Sequence, residues 1–205
     1  MHPLLGLLLS YLAGSIPFAY LAGKARGVDL RRHGSGNLGA TNAVRVLGPR
    51  IGGLVYLADT AKGLLPVLLL PAHISTQRPD LWAMAFGIAA VVGHVRPVFL
   101  LGKGGGKGVA TAGGVFFGLA WLPTLASVAV FVLVLATTRM VSLASLVAAM
   151  TLPVALFIWG GPRAPLLIMS SAITLFVIWT HRSNIGRIRR GEEPRVGRKA
   201  GVPAQ

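Results

Sequence analysis

Four short stretches hold most of the residues able to do chemistry. Residues 29–45, DLRRHGSGNLGATNAVR, combine glycines with Ser35, Asn37, Thr41, Asn42 and Arg45. Glycines let backbone approach a ligand closely, while hydroxyl, amide and guanidinium groups bind it. Residues 102–111, GKGGGKGVAT, set Gly105, Gly106 and Gly108 around Lys107, ahead of Thr111. Consecutive backbone N–H groups there can form an anion nest, with Lys107 as a point charge and a helix N-terminus aimed at the same place. Residues 137–145, TTRMVSLAS, bring Arg139, Ser142 and Ser145; serines of this kind serve helix packing more often than ligand contact. Residues 181–190, HRSNIGRIRR, place His181, Asn184 and Arg187 three apart on one helical face, with Arg182 beside them. Fixed cations and anion nests with almost no carboxylates point to a phosphate-bearing ligand.

Two familiar nucleotide motifs are excluded. GSGNLG satisfies GxGxxG, and Asp59 even follows at a fitting distance, but a charged loop precedes it and an apolar run contains the acid, where a dinucleotide fold needs a strand and a βαβ unit. The lysine loop fails the ATP-binding pattern, because Leu101 stands at the first glycine position and Gly108 follows the lysine. The chain has no cysteine, and its five histidines show no metal-ligand spacing, so no metal and no cofactor are expected. Without a well-placed Glu or Cys, the remaining candidate bases are His33, His94 and His181.

These clusters must be positioned by membrane helices. The chain has 205 residues, 54% hydrophobic and 12% charged, with a mean hydropathy of +0.70, which describes an all-α integral membrane protein and not a soluble globule. The net charge of +15 therefore marks a cytoplasmic face, and nucleic acid is not an expected partner. Apolar runs cover residues 4–23, 51–71, 81–101, 109–138, 141–159 and 165–180. The fourth would be about 45 Å long as one helix, too long for a hydrocarbon core of about 30 Å, and Trp121-Leu122-Pro123 interrupts it. Two short helices there give about seven crossings, an outer N-terminus and a cytoplasmic C-terminus, leaving only Arg78 and Arg163 in outer loops. All four polar clusters then lie on the cytoplasmic side as glycine-rich loops. Residues 1–186 form one transmembrane catalytic domain, and 187–205 a basic, mobile cytoplasmic tail attracted to anionic lipid. Asp59 and Lys62, three apart inside an apolar run, should pair with each other or face a polar cavity.

The motifs also carry a resemblance. GSIPFAYLAGKARGVDLRRHGSGNLGATNAVRVLG at residues 14–48, DTAKG at 59–63, GHVRPVF at 93–99, GGKGVAT at 105–111, RMVSLAS at 139–145 and HRSNIGRI at 181–188 resemble the bacterial acyl-phosphate:glycerol-3-phosphate acyltransferases over nearly the whole chain. The loop here reads GKGGGKGVAT where that family reads FKGGKGVAT, and Arg96 stands where the family often has an aromatic residue. The resemblance implies a seven-helix enzyme of the bacterial inner membrane, with a cytoplasmic active site, working as a monomer. It would transfer a fatty acyl group from acyl phosphate to the 1-hydroxyl of glycerol 3-phosphate, releasing lysophosphatidic acid and phosphate, the first step of phospholipid synthesis. It further implies catalytic roles for Ser35, Arg45, Lys107, His181 and Asn184. Substrate contacts would come from Asn37, Thr41, Asn42, Gly105, Gly106, Gly108, Thr111, Ser142, Arg139 and Arg182. From the residues alone, an anion or phosphate-ester transporter is the alternative, disfavoured by the lack of ionisable residues along a full path.

Overall fold

The computed structural model describes residues 1–159 and 164–197. Among them are ten α-helices and no strand: α1 (Pro3–Ser15), α2 (Phe18–Ala25), α3 (Ala40–Leu47), α4 (Pro49–Leu69), α5 (Pro79–Val95), α6 (Val109–Leu119), α7 (Trp121–Thr138), α8 (Val141–Trp159), α9 (Ala164–Thr180) and α10 (Arg182–Arg189). Short 3-10 turns follow α4 (Leu70–His73) and α5 (Val98–Leu100).

Local chemistry sets the boundaries. Proline opens α1, α4 and α5, where its missing N–H would find no partner in any case and its fixed φ suits the first turn. Ile16-Pro17 bends the chain between α1 and α2, yet Pro3–Ala25 continues as one apolar stretch of 23 residues. The long run 109–138 divides at Ala120, whose φ of −157° and ψ of 74° end α6, and Pro123 lies in the first turn of α7.

Five stretches are long and apolar enough to cross a membrane: Pro3–Ala25, Pro49–His73, Pro79–Leu100, Trp121–Thr138 and Val141–Trp159. The apolar α9, of 17 residues, is followed by the polar α10 at a bend of 60°. With 11 residues, α6 reaches only about 17 Å, roughly half the hydrocarbon thickness. Large side chains such as Leu57, Leu133, Phe157 and Ile168 are exposed, as an outer surface that contacts lipid requires.

Close approach, not greasy volume, joins the central pair α4 and α6. A Cβ on Gly63 would overlap the Thr111 carbonyl oxygen, and one on Gly114 would overlap the Thr60 carbonyl oxygen, so reciprocal glycines let the two backbones touch. One apolar cluster, built on Val67, Val91, Val115, Phe116, Leu152 and Met169, then ties α4, α5, α6, α8 and α9 together. A second, Ala19, Leu30, Leu38, Ala43 and Val55, holds the polar α2–α3 loop against the helices. Gly114→Ala is expected to force α4 and α6 apart, lowering stability by about 1–3 kcal/mol. Thermal unfolding in detergent would show it as a clear fall in Tm, and an unchanged Tm would contradict the packing.

Candidate active site

The α2–α3 loop is shaped from within. Leu30 is fully buried, and Asp29 accepts from the Arg31 backbone N–H at 3.0 Å and from its guanidinium at 2.8 and 2.9 Å. These bonds hold the partly exposed Asp29 carboxyl at about 2, the side-chain bond from Arg31 being the main cause. The buried Asn42, on the first turn of α3, does the central work. Its Oδ1 accepts from the Ser35 N–H at 2.9 Å, and its Nδ2 donates to the Leu30 and His33 carbonyls, both at 3.1 Å. Gly34, at φ +61°, passes so close to Asn42 that a Cβ would overlap its Oδ1. Asn42, expected as a substrate contact, spends these three bonds on its own loop, where it places Ser35, and it also borders the cavity.

The lysine loop is seated on α5. The Gly106 N–H donates to the His94 carbonyl at 3.2 Å, and a Cβ at Gly106 would strike the His94 ring. Gly105 presses on the His94 and Val95 carbonyls in the same way, while its own carbonyl accepts from Asn37 Nδ2 at 3.3 Å. That bond joins the first two polar clusters. Beneath them Asp59 and Lys62 pair at 2.8 Å, His94 Nδ1 stands 3.7 Å from Asp59, and Lys62 Nζ donates to the Ile16 carbonyl at 2.9 Å. The Asp59–Lys62 pair expected from the sequence thus forms, and Asp59 and His94 also border the cavity.

Lys107 crosses to the fourth cluster. Its ammonium donates to Asn184 Oδ1, and its carbonyl accepts from Thr180 Oγ1 at 3.3 Å. Burial lowers the Lys107 ammonium to about 8, with Arg187 and Arg45 adding repulsion and Glu193 opposing it. His181, at the bend between α9 and α10, places Nδ1 2.8 Å from the Val177 carbonyl. A carbonyl can only accept, so Nδ1 carries the hydrogen and Nε2 the lone pair. Burial and the Lys107 charge lower His181 to about 4, so its ring is neutral at pH 7 and a weak base.

A cavity of about 1490 Å³ unites these groups. It is bordered by Ser35, Asn37, Thr41, Asn42, Arg45, Lys107, Gly108, Ser142, His181 and Asn184. The same cavity is lined by apolar side chains between helices: Phe116 of α6, Phe131 and Leu135 of α7, Leu152 of α8 and Ile173 of α9. Five expected contacts lie elsewhere. Gly105 and Gly106 shape the loop from behind, and Thr111 is fully buried against α4. Arg139 is exposed at a left-handed turn after α7, φ +59°, and offers its carbonyl to the Val196 N–H at 2.8 Å. Arg182 turns outward, its guanidinium 4.8 Å from the Trp179 ring centre and bonded to the Trp179 carbonyl at 3.2 Å.

The sequence reading missed Glu193 and gave Arg187 no role beyond its place on the His181–Asn184 face; both also border the cavity. It ended the folded domain at residue 186, whereas α10 runs to Arg189 and Glu193 is buried with two side-chain partners. The signal was present: of five carboxylates, two stand together at Glu192-Glu193 within a basic segment. Residues 198–205 and Arg163 lie outside the described residues.

If Lys107 must be charged to hold an anionic substrate, kcat/KM should be flat near neutrality and fall about tenfold per pH unit above roughly 8. A phosphate monoester, with its second pKa near about 6, is already dianionic there and adds no inflection. A profile flat to pH 9.5 would remove Lys107 from substrate binding.

A helical membrane bundle whose glycine-walled, cation-rich pocket is also lined by apolar side chains of four helices defines a membrane enzyme for amphiphilic, anionic substrates. The sequence profile of the glycerol-3-phosphate acyltransferases matches residues 4–191. A glycerol-3-phosphate acyltransferase of Geotalea daltonii is 50% identical over 186 residues, covering 90% of this chain and 92% of that protein. One from Prochlorococcus marinus strain NATL1A is 45% identical over 198 residues, covering 95% and 98%. Two crystal structures of PlsY (YgiH), an integral membrane glycerol 3-phosphate acyltransferase, share the fold. The glycerol 3-phosphate form has a TM-score of 0.88 at 40% identity, covering 95% of this chain and 96% of that one. The lysophosphatidic acid form has a TM-score of 0.85 at 38% identity, covering 95% of each. The chain belongs to the glycerol-3-phosphate acyltransferase family, and it is an acyltransferase.

Proposed function

We propose that the protein transfers a fatty acyl group from acyl phosphate to the 1-hydroxyl of sn-glycerol 3-phosphate, forming 1-acyl-glycerol 3-phosphate and inorganic phosphate. The observation that carries this reading is that a single cavity is lined both by cationic and polar groups and by apolar side chains of four helices. Arg45, Lys107 and Arg187 offer three cations for phosphate, and the apolar lining suits an acyl chain entering from the bilayer.

In this reading Lys107 and Arg45 hold the phosphates, Ser35 and Thr41 hydrogen-bond the glycerol backbone or the reacting carbonyl, and Asn184 fixes the lysine. An acyl phosphate is already activated, so catalysis consists mainly of holding two anions at reacting distance and stabilising charge on the carbonyl oxygen. The 1-hydroxyl oxygen bonds to the acyl carbon, the acyl carbon–phosphate oxygen bond breaks, and the hydroxyl proton passes to the donor's own phosphate. A neutral His181 whose pKa lies near 4 supports this route, because so weak a base gains little from taking the proton itself. His181 then acts as a neutral hydrogen-bonding group.

The chain would work as a monomer. With α9 and the short α6 each counted as a crossing beside the five long stretches, the path has seven, and the basic residues near the site favour an outer N-terminus, with the C-terminus and active site at the cytoplasmic face of a bacterial inner membrane. Purified protein given palmitoyl phosphate and glycerol 3-phosphate should release phosphate and lysophosphatidic acid in equal amounts, with no product from acyl-CoA. Movement of labelled glycerol 3-phosphate across liposomes without a donor, and no product with one, would refute the acyl-transfer reading and favour transport.

A further inference from the structure

The segment after α10 returns to the cavity, and one carboxylate goes in with it. Glu193 is 9% exposed, whereas its neighbour Glu192 pairs at the surface with Arg190 at 2.7 Å. Glu193 Oε1 accepts from Asn184 Nδ2 at 2.6 Å, and Oε2 accepts from Arg187 Nε at 2.8 Å. The strand of chain beyond is pinned by the bond from Val196 N–H to the Arg139 carbonyl.

The amide of Asn184 has two ends, and both are committed: Nδ2 to Glu193, Oδ1 to Lys107. An amide bonded to water alone could turn over and present its NH2 to the ammonium, which would repel it. A carboxylate at Nδ2 forbids that turn, since it can only accept. We propose that Glu193 is a positioning residue of the acyltransferase site, which locks the Asn184 amide with its oxygen toward Lys107 and thereby holds the lysine charged and aimed into the cavity. The inference rests on the acyl-transfer reading only in assigning Lys107 to substrate; the Glu193–Asn184–Lys107 relay can be measured without turnover.

Several charges face Lys107. Arg45 comes from α3 and Arg187 from α10, His181 is neutral at the bend, and Asp59 and His94 border the same cavity from α4 and α5. Glu193 is the carboxylate that raises the ammonium's proton affinity against these cations. Removing its charge therefore makes Lys107 lose its proton at lower pH. The substitution also leaves the Arg187 guanidinium without an anion.

The test compares Glu193→Gln, Glu193→Asp and the exposed control Glu192→Gln in the full-length protein. Two readouts are taken, and neither depends on the other. The first is the rate of acetylation of Lys107 by acetic anhydride against pH, read by peptide mass spectrometry. The second is kcat/KM against pH with palmitoyl phosphate and glycerol 3-phosphate. Glu193→Gln should move the midpoint of Lys107 reactivity, and the alkaline limb of kcat/KM with it, down by at least about half a pH unit, and lower kcat/KM at pH 7 by roughly ten- to a hundredfold. Glu193→Asp should keep the midpoint near wild type, and Glu192→Gln should change neither. An unshifted Lys107 midpoint in a folded Glu193→Gln protein overturns the proposal, as does a rise in kcat/KM, which would make Glu193 a plug that substrate must displace. A shifted midpoint in a protein that never turns over acyl phosphate would uphold the relay and reject the acyl-transfer reading instead.

Discussion

Replacing Lys107 with methionine should abolish nearly all turnover, lowering kcat/KM by about a thousandfold or more. Lys107 is half-buried and anchored at both ends of its residue, its Nζ on Asn184 and its carbonyl on Thr180. Methionine keeps the length and apolar stem while deleting the charge, so packing is largely preserved. Removing one preorganised group that stabilises developing charge costs about 10²–10³, and a lysine that also binds ground-state phosphate adds to that. Arginine is expected to rescue poorly, since its planar fork does not fit a pocket formed around a point charge. Steady-state kinetics on protein with unchanged thermal unfolding would check this. A fall of less than tenfold would mean that Arg45 and Arg187 carry the phosphate without Lys107.

The second large effect is expected at Asn42, a residue that needs no substrate contact. Asn42→Asp retains an acceptor for the Ser35 N–H but turns the other end of the side chain against the Leu30 and His33 carbonyls. A buried carboxylate facing two acceptors costs about 3–5 kcal/mol, or must take up a proton to remain. The α2–α3 loop should open, Ser35 should lose its place, and activity should fall by more than a hundredfold. Asn42→Leu, of similar size, leaves the Ser35 N–H and the Leu30 carbonyl unsatisfied at about 1–3 kcal/mol each, while the His33 carbonyl keeps its bond from the Gly36 N–H, and should fare no better. Thermal unfolding and turnover measured together would show both defects; wild-type Tm and rate in Asn42→Asp would contradict the role assigned to this amide.

Asn42 also shows how far sequence reasoning reaches. Its presence in a Gly-, Ser- and Asn-rich loop marked it as polar machinery, but residue type cannot separate an amide that binds substrate from one that binds its own loop. That difference lies in three backbone partners between residues 30 and 35, fixed only when the loop closes. Gly105 and Gly106 were legible as a nest, yet their smallness answers to the His94 ring and the end of α5, a packing partner remote in sequence. The division of the long apolar run could be read directly, because hydrocarbon thickness limits helix length and Pro123 stands near the middle.

Arg139 and Arg182 were drawn toward phosphate by charge alone; one sits at a left-handed turn and the other found the Trp179 ring one turn away. Glu193 was passed over for the opposite reason, because a basic, Gly- and Pro-containing end reads as mobile. The pair of carboxylates in a basic segment hinted at a role, and the hydrogen bonds to Asn184 and Arg187 show which of the two is tied down.

The central claim is that a single cavity holds phosphate at Lys107 and an acyl chain between α6, α7, α8 and α9. It is tested most directly by a non-hydrolysable acyl phosphonate carrying a diazirine midway along its chain, photolysed on the purified protein and mapped by mass spectrometry. The expected labels fall on apolar lining residues such as Phe116, Phe131 and Leu152, and they are lost in Lys107→Met and by competition with palmitoyl phosphate. Labels confined to the outer surface, on Leu133, Phe157 or Ile168, and insensitive to the lysine, would contradict the account.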